Sequence, residues 1–168
     1  MKAPAGVAPI QPGPGQESVW DYPRPPRIET VPERIRVLVD GVTIADSIRA
    51  QRVLETAGPP VYYLPPDDVR MDLLTPSSHG SVCEWKGAAS YHTLVLPGRT
   101  VRSVAWSYRD PNPVFERIRD HLAFYPARVD EAWVGAERAT PQPGGFYGGW
   151  VTSRVVGPFK GGPGTGHW

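Results

Sequence analysis

At 168 residues the chain can bury most of its apolar surface as one unit without metal or disulfide support, and it is too short for two units with adequate cores. Its 18 Lys and Arg stand against 17 Asp and Glu and are scattered rather than striped, which excludes a basic field for nucleic acid or an anionic membrane surface. One cysteine excludes a disulfide framework and a four-cysteine zinc site, so a reducing cytoplasm is the expected compartment.

No stretch approaches the roughly 20 apolar residues of a membrane span. The start of the chain passes from one Lys into prolines, so a secretory signal is not expected. Composition divides the chain into a Pro-rich arm (1–32), a periodic body (33–140) and a Gly/Pro/aromatic extension (141–168). The arm's first 18 residues cannot repay their ordering entropy and are expected to be disordered unless something clamps them.

In the body, 34–39 and 42–45 read as strands joined by Asp40-Gly41, a two-residue hairpin turn. Ser47 is placed to cap a short helix running to about Thr56, ended by Gly58-Pro59-Pro60. Val61-Tyr62-Tyr63-Leu64 reads as a buried strand, and Asp67 to Arg70 as a turn or one helical turn. Strands are expected over 82–86, 91–96 and 101–108, the last two linked through Pro97-Gly98-Arg99. Asn112-Pro113 starts a second helix, with Val114, Phe115, Ile118 and Leu122 on one face. Short strands over 121–125 and 131–134 complete a mainly β fold with two short helices: a compact antiparallel two-sheet domain, tent-like or barrel-like.

The extension carries nine glycines, four prolines and five aromatic residues, which excludes a long helix yet supplies rings that water would not tolerate exposed together. It is expected to pack on the body or on a neighbour, as a strap, a lid or the arm of a homodimer. An edge strand is expected within 148–156.

Ile44-Ala45-Asp46-Ser47, the strand from Pro60 to Pro65, the run from Cys83 to Tyr91, and Ala105-Trp106-Ser107-Tyr108 followed by Ala123-Phe124-Tyr125 resemble the bacterial family catalogued as domain of unknown function 427. The resemblance covers roughly 33–137, and the extension looks like that of the family's longer members. It implies a compact β-rich fold similar to tent-like two-sheet folds that zinc often pins. Those zinc sites use paired cysteines, and this chain has only Cys83, so any such relationship must dispense with the metal. The family brings no assigned catalytic residue. A label linking it to nucleotidyl transfer finds little here: Asp67, Asp68 and Asp72 have no upstream Gly-Ser turn, and no Walker-type loop is present.

The candidate chemistry lies in the Cys83 to Tyr91 run. On an extended 82–86, Glu84 and Lys86 would share one face and Cys83 and Trp85 the other. Arg70, Tyr62, Tyr63, Tyr91, Trp106 and Tyr108 are placed to converge into an aromatic pocket with a cationic end, suited to a small polar or anionic metabolite. There Lys86 and Tyr91 are the acid/base candidates, Glu84 orients Lys86, and Arg70 binds the anion. The alternative is a polar seam in which Glu84 and Lys86 pair with each other or with Arg70, Arg70 pairs with Asp72, and the rings are core. Cys83 reads as a small buried apolar group, since no His or Asn stands at a nucleophile's usual spacing. His79, His92, His121 and His167 lack paired ligand spacing, so no metal and no cofactor are expected. A non-catalytic interaction module built on the aromatic tail is the competing function.

Overall fold

The computed structural model describes residues 3–168, and the side chain of His79 lies outside what it describes. In chain order the strands are β1 (Glu17–Ser18), β2 (Arg27–Thr30), β3 (Ile35–Val39), β4 (Val42–Ser47), β5 (Gln51–Leu54), β6 (Val61–Tyr63), β7 (Leu74–Cys83), β8 (Gly87–Leu96), β9 (Arg99–Ser107), β10 (Ala123–Phe124), β11 (Glu131–Val134), β12 (Glu137–Arg138), β13 (Thr140–Pro141), β14 (Trp150–Val151) and β15 (Val155–Val156). Among the described residues helix is confined to 3-10 turns, the longest being Pro113–Ile118.

Two four-stranded sheets, ordered β10-β9-β8-β7 and β12-β11-β3-β4, carry most of the fold, and a three-stranded sheet ordered β2-β5-β6 flanks them. All pairings in these sheets are antiparallel. The expected mainly β architecture is present, and among the described residues no sheet closes into a barrel. The β3–β4 hairpin turns on Asp40 and Gly41 at φ 51° and 73°, the doubly left-handed turn whose twist matches the flanking strands. Ile35, Val37 and Val39 alternate into the interior with no exposure. They meet Leu94, Val104 and Phe124 from the other large sheet in the main core cluster.

The helix expected after Ser47 is instead β5, the central strand between β2 and β6. Ser47 Oγ accepts from the Arg49 backbone N–H at 3.0 Å and donates to Asp68 at 2.7 Å, forming a local turn rather than a helix cap. Pairing on both edges, together with Arg52 bridging Glu17 and Glu29, outweighs a weak helix propensity. At Pro113–Ile118 the helix is 3-10, so residues three apart eclipse: Phe115 and Ile118 are buried while Val114 is exposed. Leu122 lies beyond it, bridged to Leu64.

The extension supplies the clamp that the N-terminal arm requires. Ile10 N–H donates to Gly157 O at 2.8 Å, Gln16 Nε2 to Ser153 O at 2.9 Å, and β1 pairs in parallel with β15. Trp150 is fully buried in the main core, its indole N–H donating to Phe124 O at 3.1 Å and its ring 5.0 Å from that of Tyr62. Two further rings of the tail, Phe159 and Trp168, pack with Val19, Trp20 and Leu54. Among the described residues no helix is long and apolar enough to cross a membrane.

Candidate functional site

The hairpin between β7 and β8 turns through Glu84, Trp85 and Lys86. Asn112 ties it down: its side-chain amide donates to Trp85 O, and its backbone N–H donates to Lys86 O at 3.0 Å. Glu84 is exposed, Trp85 half-buried and Lys86 buried. The strand expected over 82–86 therefore ends at Cys83, and the shared face expected for Glu84 and Lys86 does not form, because a turn lacks a strand's two-residue alternation.

Lys86 lines a cleft of about 520 Å³. Its floor is one face of β7, β8 and β9: Tyr91 is in register with Trp106, and Ser81 and Cys83 lie on the same side. Tyr63 on β6 and Tyr108 just past β9 continue the wall, and Phe146, Tyr147 and Gly148 of the tail close its far side. The Lys86 Nζ sits 5.9 Å from the Tyr108 ring centre and 6.0 Å from that of Phe115. Among the described residues this ammonium has no carboxylate partner and no hydrogen-bond acceptor.

The phenols form two hydrogen-bonded groups. Trp106 Nε1 donates to Tyr63 Oη at 3.3 Å, Tyr63 is hydrogen-bonded to Tyr108, Tyr125 to Tyr91, and the Tyr91 and Ser81 hydroxyls lie 2.8 Å apart. Burial pushes the phenols of Tyr63, Tyr108 and Tyr125 well above the ordinary tyrosine value. They are therefore protonated at neutral pH and carry an O–H to donate, while their oxygens still accept, as that of Tyr63 does from Trp106.

Lys86, Tyr91, Glu84, Tyr63, Trp106 and Tyr108 all line this cleft. Arg70 and Tyr62 do not. Arg70 is exposed beyond β4 and holds Asp72 through two bonds of 2.9 and 2.8 Å, so the anion-binding role expected of it is corrected to the alternative pairing with Asp72. A short loop lets a guanidinium reach a carboxylate two residues on, and that contact directs Arg70 away from the hollow. Tyr62 alternates with Tyr63 across β6 and so packs on Trp150 instead. It borders a second, smaller cavity where Arg52 pairs with Glu17 and Glu29, and Arg154 with Glu33. Glu84 makes no ion pair among the described residues, so the orienting role expected of it toward Lys86 has no contact behind it.

Two cations of the cleft, Arg128 and Lys160, escaped sequence reasoning. The signal for Arg128 was local. In the 3-10 turn Pro126–Arg128 a residue eclipses the one three before it, which puts the guanidinium 4.0 Å above the Tyr125 ring. Lys160, Phe146 and Tyr147 arrive from the tail and had no local signal. Among the described residues no group of three His, Cys, Asp or Glu side chains is placed to ligate a metal.

A family model described as Domain of unknown function (DUF427) matches residues 27–135, well over half the chain. The chain belongs to this family. The match opens on the first residue of β2 and closes one residue past β11, so it holds Lys86, Tyr91 and the ring-bearing strands of the cleft. The tail wall of Phe146, Tyr147 and Gly148 lies outside it. No curated protein matches the chain.

Proposed function

We propose that this member of the family binds a small polar or anionic metabolite in the cleft, with Lys86 as the anion's partner. The observation that carries this is a lysine buried along most of its length, 9% exposed as a residue, whose ammonium faces a hollow walled largely by rings and has no carboxylate partner among the described residues. Water reaches this ammonium only through the cleft, so an anion entering there meets a cation with no competing carboxylate bond. The cleft's size falls in the range of small-molecule sites.

Binding is favoured over turnover. Among the described residues no carboxylate touches Lys86 to act with it as an acid/base pair. The competing interaction module is left with Phe146 and Tyr147 as its exposed rings, because Trp150, Phe159 and Trp168 pack against the chain's own body. A thermal-shift screen of small carboxylates and phosphates, repeated on Lys86→Met, tests the proposal. Hits that stabilise the parent and lose their effect in the variant are expected. A screen whose hits ignore the substitution would make Lys86 a scaffold residue.

A further inference from the structure

We infer that Phe146 is the moving part of a lid: carried by Gly145 and backed by Tyr147, its ring swings from solvent onto the mouth of the cleft when the cleft is occupied. This goes beyond the binding proposal, since it concerns access to the hollow rather than what Lys86 holds there.

The ends of the loop are fixed. Gln142 is buried and fastens them to each other: its backbone N–H donates to Gly149 O at 3.1 Å, and its side-chain Oε1 accepts from the Gly149 N–H at 3.1 Å. Its Nε2 donates to Lys160 O at 2.7 Å, which ties this base to a later stretch of the tail. Gly144 lies so close to Gly161 that a β-carbon on either would strike the backbone facing it, and Gly148 is buried against Trp106.

Between these anchors Gly145, Phe146 and Tyr147 are held by side-chain contacts alone. Residues 143–147 are exposed, and among the described residues no backbone N–H or C=O of 143–148 makes a hydrogen bond. A segment whose backbone is neither buried nor bonded belongs to the low-stability end of a fold, from which gating loops are drawn. Gly145 has φ 105° and open space where a side chain would stand, so the chain can turn there without a clash. Tyr147 is steadied by the Lys160 ammonium, 5.3 Å from its ring centre. Phe146 stands edge-on to Tyr147 at 4.9 Å and is 79% exposed although it borders the cleft. An apolar ring in water gains free energy by covering an apolar body and little by roofing a water-filled hollow, so occupancy drives closure.

Cys83, the chain's only cysteine, lines the cleft and offers a handle that does not depend on the natural ligand. Reaction of the intact protein with benzyl methanethiosulfonate tethers a benzyl group in the cleft, and hydrogen exchange read by mass spectrometry follows the amides of 144–148. In the unlabelled parent these amides should exchange without protection. In the benzyl adduct they should slow by at least about tenfold, whereas the smaller adduct from methyl methanethiosulfonate should leave them fast. Phe146→Ser, a change at an exposed position, should keep the fold and abolish the slowing. The lid is overturned by a benzyl adduct whose loop does not slow, by equal slowing in Phe146→Ser, by protection already present in the unlabelled parent, or by a Cys83 that resists the reagent in the folded protein. Because the benzyl group is tethered, none of these outcomes depends on Lys86. A metabolite screen without hits would remove the binding proposal and leave the lid standing.

Discussion

Gly148 lies flat against the indole of Trp106: a β-carbon on Gly148 would fall 2.2 Å from Cη2 and 2.6 Å from Cζ3 of that ring. Trp106 is the floor of the cleft and Gly148 belongs to the tail, so this contact fastens the tail wall to the family body. Gly148→Ala forces the ring or the strap to move. Overpacking of this kind costs about 1–3 kcal/mol. Urea unfolding should show that loss together with a shift of tryptophan emission, and binding of the thermal-shift hits should weaken. An unchanged emission spectrum would mean that the strap yields instead of the ring.

Lys86 separates a structural residue from a binding one by its effect on stability. A lysine that held the fold through an ion pair would cost several kcal/mol when removed. Among the described residues Lys86 has no such pair, so Lys86→Met, a change of similar volume, should alter stability by less than about 1.5 kcal/mol. Denaturant midpoints of parent and variant, compared with the ligand-induced shifts of the thermal screen, read both effects independently.

Trp150 is the anchor by which the extension completes the core. It is fully buried and bonded to Phe124 O, so Trp150→Ala should cost about 3–5 kcal/mol. Trp150→Phe should keep most of the packing and lose the hydrogen bond. Urea unfolding of both variants checks this order. A loss under 1 kcal/mol for the alanine variant, on the scale of a surface change, would mean that the tail packs independently of the core.

Arg52 makes stability depend on acid pH. Burial raises the Glu29 carboxyl, but the hydrogen bond and charge of Arg52, with Arg27 adding, outweigh it and hold Glu29 below the usual glutamate range. A depressed folded value means that the contribution is complete above the unfolded value of about 4.3 and is lost as pH falls through the folded one. Arg52→Leu should cost about 1–3 kcal/mol at neutral pH, because Glu17 and Glu29 lose their shared partner, and it should flatten the decline below that pH. Thermal melts from pH 3 to pH 7 follow both changes.

Hairpins were legible because their determinants are adjacent in the chain. Asp40-Gly41 and Pro97-Gly98 carry their turn chemistry in place, and both turn where expected. The segment after Ser47 was not legible as a strand, since β5 exists through partners more than 20 residues before it and about 10 after it. Ring content pointed to Tyr91, Tyr63, Trp106 and Tyr108, which the structure places around one cleft; Lys86 reaches it from a turn and not by the strand alternation expected. Arg70 was misplaced because its nearest carboxylate, Asp72, stands only two residues along.

The order of residues alone determined the class of fold, the family and the presence of a lysine among rings, because these follow from periodicity, turn residues and composition along the chain. Tertiary structure alone decided which cation stays unpaired and which rings share its hollow. A side chain's charge is set by its identity, but whether that charge is neutralised depends on what the folded backbone brings within a few ångströms of it.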